Sequence, residues 1–246
     1  MQLPRIDSGR CDRAAETALA TAAALRAREV AARSFNGKEV VLLTSNVAGL
    51  PIAVNLIANF AQLKHNHVLL LGENAATCEA LVAPDPPACL HSSLLRLKYR
   101  RGLRAYVGTQ VWILWLQRYM YMKRLTSIGL NTLLLDADVV LFHDPYPFFK
   151  AEMARYTLIS LCDVSAGFAN ANGGIWYVQG ASAGGPVAKI LDDFERRVIE
   201  TLTDAEAAEV DARLTRGRGR GREGRGRGRG RGRIVRFDAR AGRRAG

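Results

Sequence analysis

The chain has 246 residues, which is enough to bury one sizeable core and to carry a tail beside it. Its formal net charge of +12 suggests a nucleic-acid-binding protein, yet residues 213–246 carry the whole excess, with 14 Arg against Glu223 and Asp238. Residues 1–212 have no net charge, so composition gives no reason to expect a basic surface on the folded part.

The first 37 residues predict a helical extension without a membrane anchor. Residues 1–12 alternate charged and polar side chains, unlike a signal peptide. The Ala-rich helix predicted over residues 14–32 carries too many charges to span a bilayer. Residues 40–63 are uncharged, but their polar residues and Pro51 favour a strand, a loop and a helix over a membrane span. We therefore expect no transmembrane segment in this chain.

Strands and helices then alternate from residue 38 to about residue 203, which is typical of a parallel, Rossmann-like sheet. The strands predicted in the first half are residues 40–44, residues 68–71 before Gly72, and a short strand at residues 88–91. The predicted helices start at Pro51, run from an Asn74 cap to residue 82, and cover residues 109–128 before Gly129. A Pro-rich turn at residues 84–87 and a basic, helical segment at residues 94–104 lie between them.

The next strand ends in two acids, within the sequence LLLDADVVLFHDPYPFF at residues 133–149. Asp136 and Asp138 follow an apolar run that is consistent with a buried parallel strand. A carboxylate inside such a strand is costly, so both acids are expected at its carboxyl end, where α/β sheets hold their ligands. Two hard oxygen ligands suit Mg²⁺ or Mn²⁺ shared with a diphosphate, and the alternative is a pair of acids that caps the following turn.

Aromatic residues and further strands follow the two acids. The Asp-Pro-Tyr-Pro sequence at residues 144–147 breaks regular structure and predicts an aromatic loop, residues 146–149, across the edge of the sheet. Residues 156–161 and 175–179 are predicted as strands, and residues 186–202 as an amphipathic helix.

Arg and Gly almost alternate from residue 216 to residue 233, a composition that cannot form a core and predicts a disordered tail. Such a segment can bind RNA through charge and guanidinium stacking, although no aromatic residue interrupts the repeat. A solvated, low-complexity tail without a partner is the alternative.

Cysteine spacing leaves the redox state open. The four cysteines form no C-x-x-C pair and no zinc spacing. Cys78 and Cys89 could form a disulfide in an oxidising lumen, and buried free thiols are the alternative.

The order of these motifs resembles a known family over roughly residues 38–200. The resemblance rests on EVVLLTSNVAGLPIAVNLIANFAQL at the first strand and helix, HVLLLGEN at the second strand, SIGLNTLLLDADVVLFHDPYPFF around the two acids, and NGGIWYVQG at a later strand. The chain resembles the plant and algal nucleotide-diphospho-sugar transferases of glycosyltransferase family 77, which include xylosyl-, arabinosyl- and galactosyltransferases.

The resemblance implies a fold, an activity and a compartment. The fold is a GT-A-like, Rossmann-type α/β sheet sandwiched by helices over residues 38–212, between the extension at residues 1–37 and the disordered tail at residues 213–246. The implied enzyme uses a nucleotide sugar, usually UDP-linked, and Mn²⁺ or Mg²⁺. It transfers a pentose or hexose to a glycan or glycoprotein acceptor, such as a cell-wall glycan. Family members generally face the Golgi lumen.

Site residues are implied by the same resemblance. Asp136 and Asp138 match the D-x-D metal site, in which Asp138 ligates the cation and Asp136 contacts ribose, sugar or a metal-bound water. The other matches are Thr44, Ser45 and Asn46 beside the nucleotide base and Arg118 near the phosphates. Asn172, Gly173 and Gly174 match the family's Asn-Thr-Gly turn before a strand, beside the donor sugar, with Gly173 in place of the usual Thr. The alternatives are a solvated helix face for Arg118 and a Gly-rich turn without a ligand for residues 172–174.

A catalytic carboxylate and a departure from the family complete the expectations. Family members retain anomeric configuration, so a carboxylate near the sugar can act as nucleophile or ion-pair stabiliser; Asp163 is the candidate, and an ordinary strand-end Asp is the alternative. Relatives continue with further strands and a late His ligand, where this chain has its Arg-Gly tail. The sequence therefore also allows a truncated or degenerate transferase whose tail binds RNA or acidic polymers.

Overall fold

The computed structural model describes residues 13–82, 86–91, 110–163 and 170–200, of which residues 13–19, 110–113, 163, 170 and 171 are described by their backbone alone. The basic segment at residues 94–104 and the Arg-Gly tail lie outside these ranges and stay predictions. Among the helices within these ranges, none is both long enough and apolar enough to cross a bilayer.

Apart from α5, which was predicted as a loop, the helices and strands occur in the predicted order. In chain order they are α1 (Arg13–Ala31), β1 (Glu39–Ser45), α2 (Leu50–Gln62), β2 (Val68–Gly72), α3 (Ala75–Glu79), β3 (Ala88–His91), α4 (Gln110–Ser127), β4 (Asn131–Leu135), α5 (Tyr146–Ala151), β5 (Leu158–Asp163), β6 (Asn170–Val178) and α6 (186–200). Most bounds lie close to the predicted ones. α3 ends at Glu79 rather than at residue 82, and β6 begins at Asn170 rather than at residue 175.

Local sequence signals explain where three helices begin or end. Pro51 lies in the first turn of α2, where its missing N–H costs no hydrogen bond. The side chain of Asn74 caps α3 by accepting a hydrogen bond from the backbone N–H of Thr77 at 3.1 Å. Gly129 follows α4 with a φ of +80°, a conformation that glycine adopts without strain.

A disulfide joins α3 to the edge strand β3. It connects Cys78 to Cys89, so of the two states that the sequence left open the bridged one is present. The third described cysteine, Cys162, is free and exposed.

The sheet has six strands in the order β3-β2-β1-β4-β6-β5. β1 to β4 are mutually parallel, as predicted, but β6 runs antiparallel to both of its neighbours. The expectation of a wholly parallel sheet is therefore wrong at this edge. Only residues 164–169 separate β5 from β6, and so short a connection suits an antiparallel pair, whereas parallel strands need a long crossover.

Two layers of helices enclose the sheet. One core cluster joins alternate residues of β1, such as Val40 and Leu42, to α1, α4 and α6. The other joins Val41 and Leu43 to α2 and α5. Strands that are buried on both faces read as continuous apolar runs, which is why β1, β2 and β4 are recognisable in the sequence. The sandwich confirms the predicted GT-A-like, Rossmann-type α/β class.

The aromatic loop predicted at residues 146–149 is a helix instead. These residues form the first turn of α5, and Pro147 is tolerated there because that N–H would have no helical partner. Asp144 Oδ1 accepts the backbone N–H of Tyr146 at 3.0 Å. Tyr146 and Phe149 are buried, and the Phe149 ring stacks on Tyr177 at 4.6 Å between centroids.

A buried carboxylate ties α5 to the amino-terminal end of the sheet. Glu39 is fully buried and accepts hydrogen bonds from Lys150 Nζ at 2.8 Å, Asn131 Nδ2 at 2.8 Å, Asn36 Nδ2 at 2.9 Å and the Tyr177 hydroxyl at 2.9 Å. Burial acts to raise the pKa of Glu39, but the hydrogen bonds from Lys150, Asn131 and Asn36 and the charge of Lys150 outweigh it, so the pKa is lowered.

Candidate functional site

Predicted site residues meet at the edge of the sheet where the parallel strands end. Ser45 at the end of β1 pairs with Gly72 at the end of β2. Leu43 pairs with Leu135, so Thr44 and Asp136 continue side by side from β1 and β4. Carboxyl ends of parallel strands form the crevice in which α/β proteins hold their ligands. The sheet topology therefore brings the first-strand loop and the acids together, as expected.

The antiparallel strand β6 brings a third segment to the same edge. Leu135 pairs with Ile175, and the backbone N–H of Asp136 donates to the carbonyl of Gly174 at 2.7 Å. The register between β5 and β6 shifts between Ser160 and Cys162, opposite residues 172–175 of β6. An irregular stretch of strand can turn its side chains toward a ligand, which a regular ladder does not allow.

Asn172 forms its hydrogen bonds within this irregular stretch. Its Oδ1 accepts the backbone N–H of Gly174 at 2.7 Å, and its backbone carbonyl accepts Trp176 Nε1 at 2.7 Å. The Asn-Gly-Gly sequence was predicted as a turn before a strand, and this is wrong, because residues 172–174 lie within β6 and are held against β4.

Arg118 on α4 is the second charged residue of the site. Its side chain is only 5% exposed, and its Nη1 pairs with Asp136 Oδ1. The guanidinium lies 5.1 Å from the ring centroid of Tyr119 and 5.7 Å from that of Trp115. Within the described ranges, Arg118 Nε has no hydrogen-bond partner. The solvated helix face that the sequence offered as the alternative is therefore wrong for Arg118.

Two glycines let these groups approach. A Cβ added at Gly173 would lie 2.8 Å from Arg118 Nη2 and 3.0 Å from the Tyr119 hydroxyl. A Cβ added at Gly174 would lie 2.5 Å from Asp136 Oδ2. Real Cβ atoms essentially never come this close, so a side chain at either position would have to displace Arg118 or Asp136.

Gly174→Ala is expected to lower the free energy of unfolding by about 1–3 kcal/mol, the usual cost of forcing an extra methyl into occupied space. Asp136 cannot yield easily, because Arg118 holds its other oxygen. Gly185→Ala is the matched control, since its Cβ would lie 2.5 Å from Ser182 Oγ, which can rotate away. Denaturant titration measures the free energy of unfolding of both variants. Equal losses would contradict the view that Arg118 holds Asp136 in place.

Asp138 lies in the turn after β4 and is exposed. The backbone N–H of Val139 donates to the carbonyl of Asp136 at 3.3 Å, which closes this turn. With Arg118 neutralising one of the two carboxylates, the site keeps one negative charge. Asp138 therefore offers an accessible, hard oxygen ligand to a cation.

A ready-made metal cage is absent from this part of the molecule. Across residues 13–82, 86–91, 110–163 and 170–200, no three His, Cys, Asp or Glu side chains are grouped to hold a metal. A pair of carboxylates nevertheless fits the way Mg²⁺ and Mn²⁺ bind with substrate phosphates, because the substrate and water supply the other oxygens. The donor set therefore fits a cation that arrives with a phosphorylated ligand.

The first-strand loop is a compact turn. Thr44 and Ser45 are buried, and Ser45 Oγ donates to the carbonyl of Asn46 at 2.9 Å. Asn46 Oδ1 accepts the backbone N–H of Gly49 at 2.8 Å. These bonds fix the loop beside Asp136, although they leave the side chain of Ser45 engaged within the loop itself.

Asp163 ends β5, which runs in the same direction as β4, so its backbone reaches the same edge of the sheet. Its side chain lies outside the described residues. The catalytic role predicted for it stays a prediction.

Three residues near the site were not singled out from the sequence. Trp115 and Tyr119 flank the guanidinium of Arg118, and their spacing on one helix is a signal that could have pointed to them. Asn59 contacts the segment after Asp138 through Leu141, which lies 82 residues away in the chain, and no local pattern predicts such a contact.

Comparison with known proteins gives one match. A family model described as nucleotide-diphospho-sugar transferase matches residues 63–207, which is more than half of the chain. The matched range runs from the end of α2 through α6 and includes Arg118, both acids and the Asn-Gly-Gly segment of β6, but it begins after β1. No curated protein and no solved structure matches the chain significantly.

Proposed function

Because the chain belongs to the nucleotide-diphospho-sugar transferase family, we propose that it is a metal-dependent glycosyltransferase. The reaction moves a pentose or hexose from a UDP-sugar to a glycan or glycoprotein acceptor with retention of anomeric configuration. The finer assignment, to glycosyltransferase family 77, rests on the sequence resemblance over residues 38–200.

The observation that carries the proposal is the meeting of Arg118, Asp136, Asp138 and the Asn-Gly-Gly segment of β6 at the carboxyl edge of the sheet. These residues belong to α4, to β6 and to β4 with the turn after it. The fold itself does not require a buried guanidinium and two carboxylates at this place. Arg118 is a buried guanidinium paired with the partly exposed carboxylate of Asp136, and the placement of this pair in a ligand crevice supports a functional role.

Asp138 and the second carboxylate oxygen of Asp136 would hold Mn²⁺ or Mg²⁺. When bound, such a cation neutralises the charge that develops on the leaving diphosphate. Arg118 fixes Asp136 and adds positive charge beside the phosphates. The bond between the anomeric carbon and the diphosphate breaks, and its electron pair stays with the phosphate oxygen. The sugar ends bonded to the oxygen of an acceptor hydroxyl, whose proton passes to the released diphosphate. Stabilisation of that oxygen by preset charges is usually the largest catalytic contribution.

The remaining predicted residues contact the base and the sugar of the donor nucleotide sugar. Thr44, Ser45 and Asn46 lie beside the base, since their loop is adjacent to Asp136 along the crevice. The backbone of residues 172–174 lies against the sugar. Asp163 serves as the nucleophile or the ion-pair stabiliser that retention of configuration requires.

We also propose the Golgi lumen as the compartment. The Cys78–Cys89 disulfide supports an oxidising environment, because cytosolic thiol systems keep such pairs reduced.

Purified protein is expected to bind UDP in the presence of Mn²⁺ and to lose that binding on addition of EDTA. Calorimetric titration measures the affinity for UDP, and ADP serves as the matched control nucleotide. A panel of UDP-sugars, scored by UDP release with and without Mn²⁺, then identifies the donor. UDP affinity that does not respond to the chelator would overturn the metal site, and the absence of UDP binding would overturn the proposed function.

A further inference from the structure

One side chain outside the predicted site holds the segment that carries Asp138. Asn59 on α2 donates from Nδ2 to the carbonyl of Leu141 at 3.0 Å and accepts the backbone N–H of the same residue at 2.8 Å. A single amide thus satisfies both backbone groups of Leu141, as a neighbouring strand would. The two bonds fix both the position and the direction of this stretch of backbone.

Leu141 is the second of two fixed points around Asp138. The first is Asp136, whose backbone N–H is bonded to Gly174 and whose carboxylate is paired with Arg118. Asp138 lies between them, in a turn whose own closing bond, from Val139 N–H to the Asp136 carbonyl, measures 3.3 Å. A segment that is anchored at both ends has few conformations left, so its exposed carboxylate is held in a narrow region of space.

The rest of the segment follows the same arrangement. Val139 and Leu141 pack against the core cluster that includes α2, whereas Val140 and Phe142 are exposed. Apolar packing fixes how closely residues 139–142 approach α2. It does not fix their position along that helix, because hydrophobic contacts have no direction. The directional bonds of Asn59 supply the register.

We propose that Asn59 is a positioning residue for the Asp138 carboxylate and so sets the affinity of the site for its divalent cation. The inference rests on the proposed function, because it assumes that Asp138 ligates a cation. Asn59 does not touch the cation; it acts through the backbone of Leu141. Groups that orient a metal ligand in this way commonly change metal affinity by 10–100-fold when they are removed.

The test compares Asn59→Ala and Asn59→Asp with Asn55→Ala, an exposed asparagine one turn earlier on the same helix. Mn²⁺ is titrated at fixed UDP, and hydrogen exchange is followed over residues 136–142. For Asn59→Ala we expect the half-saturating Mn²⁺ concentration to rise about tenfold, with faster exchange confined to that segment. Asn59→Asp keeps the acceptor and loses the donor, so it should fall between wild type and Asn59→Ala. Asn55→Ala should match wild type.

The outcomes separate the possible roles of Asn59. A merely structural role would reduce the folded fraction and the amplitude of binding, and would leave the half-saturating Mn²⁺ concentration unchanged, which would overturn the inference. Faster exchange with unchanged Mn²⁺ affinity would also overturn it, because the loosened segment would then not matter to the cation. Wild-type protein that binds no Mn²⁺ would overturn the proposed metal site itself, and the role of Asn59 with it.

Discussion

Asp138→Ala is expected to abolish the Mn²⁺ dependence of UDP binding and to lower sugar transfer by on the order of 10³-fold. Asp138 is the more exposed carboxylate of the two, whereas Arg118 already neutralises Asp136, so loss of Asp138 removes the uncompensated negative charge on which the proposed cation site depends. Charge stabilisation by a bound metal is worth several kcal/mol in the transition state, and each 1.36 kcal/mol is a factor of about ten in rate. UDP release from the preferred donor, with and without Mn²⁺, measures the loss.

Two further variants make this result specific. Asp138→Asn keeps the size of the side chain and removes its charge, so it should resemble Asp138→Ala rather than wild type. Glu152→Ala removes an exposed carboxylate after the end of α5 and should leave UDP binding and turnover unchanged. Full metal dependence in Asp138→Asn would show that charge at this position is not what holds the cation.

Glu39→Ala is expected to lower the free energy of unfolding by on the order of 3 kcal/mol, because each buried donor that it leaves without a partner costs about 1–3 kcal/mol. The variant deprives Lys150, Asn131 and the Tyr177 hydroxyl of a shared acceptor at once. Donors that remain buried without a partner add the cost of their lost hydration. Urea titration measures the loss, and Glu39→Gln, which keeps a side-chain acceptor, should lose less.

Acidification should act on the same region. The pKa of Glu39 is lowered in the folded protein, so its contribution to stability is complete above its ordinary value of 4.5 and is lost as the pH falls through the folded pKa. Burial, together with the charge of nearby His65, lowers the pKa of His67 from 6.5 to about 4, so stability also falls between these values as the unfolded chain takes up the proton first. Both groups destabilise the fold in acid. A free energy of unfolding that increases as the pH is lowered from 6.5 to 4 would contradict this expectation.

The sheet and the acids were predictable because their signals are local. β1, β2 and β4 are short apolar runs that are buried on both faces, and Asp136 follows one of them directly. Proline, Asn74 and Gly129 mark helix ends through their own backbone chemistry. Such features depend on residues that are close together in the chain, so a sequence pattern is sufficient to find them.

The features that the sequence did not predict depend on packing. The direction of β6 is decided by its short connection to β5, and an alternating or apolar pattern reads the same in either direction. Arg118 looks like any basic residue on a helix until α4 is packed on the sheet and brings it to Asp136. Asn59 and Leu141 meet only because α2 lies over the turn after β4.

The interlocked contacts of Arg118, Asp136, Gly173 and Gly174 also restrict how this protein can diverge. An acid at position 136 without the guanidinium leaves two like charges together, and the guanidinium without the acid is a buried charge with no counterion. A side chain at either glycine displaces one member of the pair. A single substitution at any of these four positions therefore disturbs the other three. Related proteins are expected either to keep all four residues or to change several of them together. In a set of related sequences, the four positions should vary as one unit, while the exposed neighbours Val140 and Phe142 drift independently.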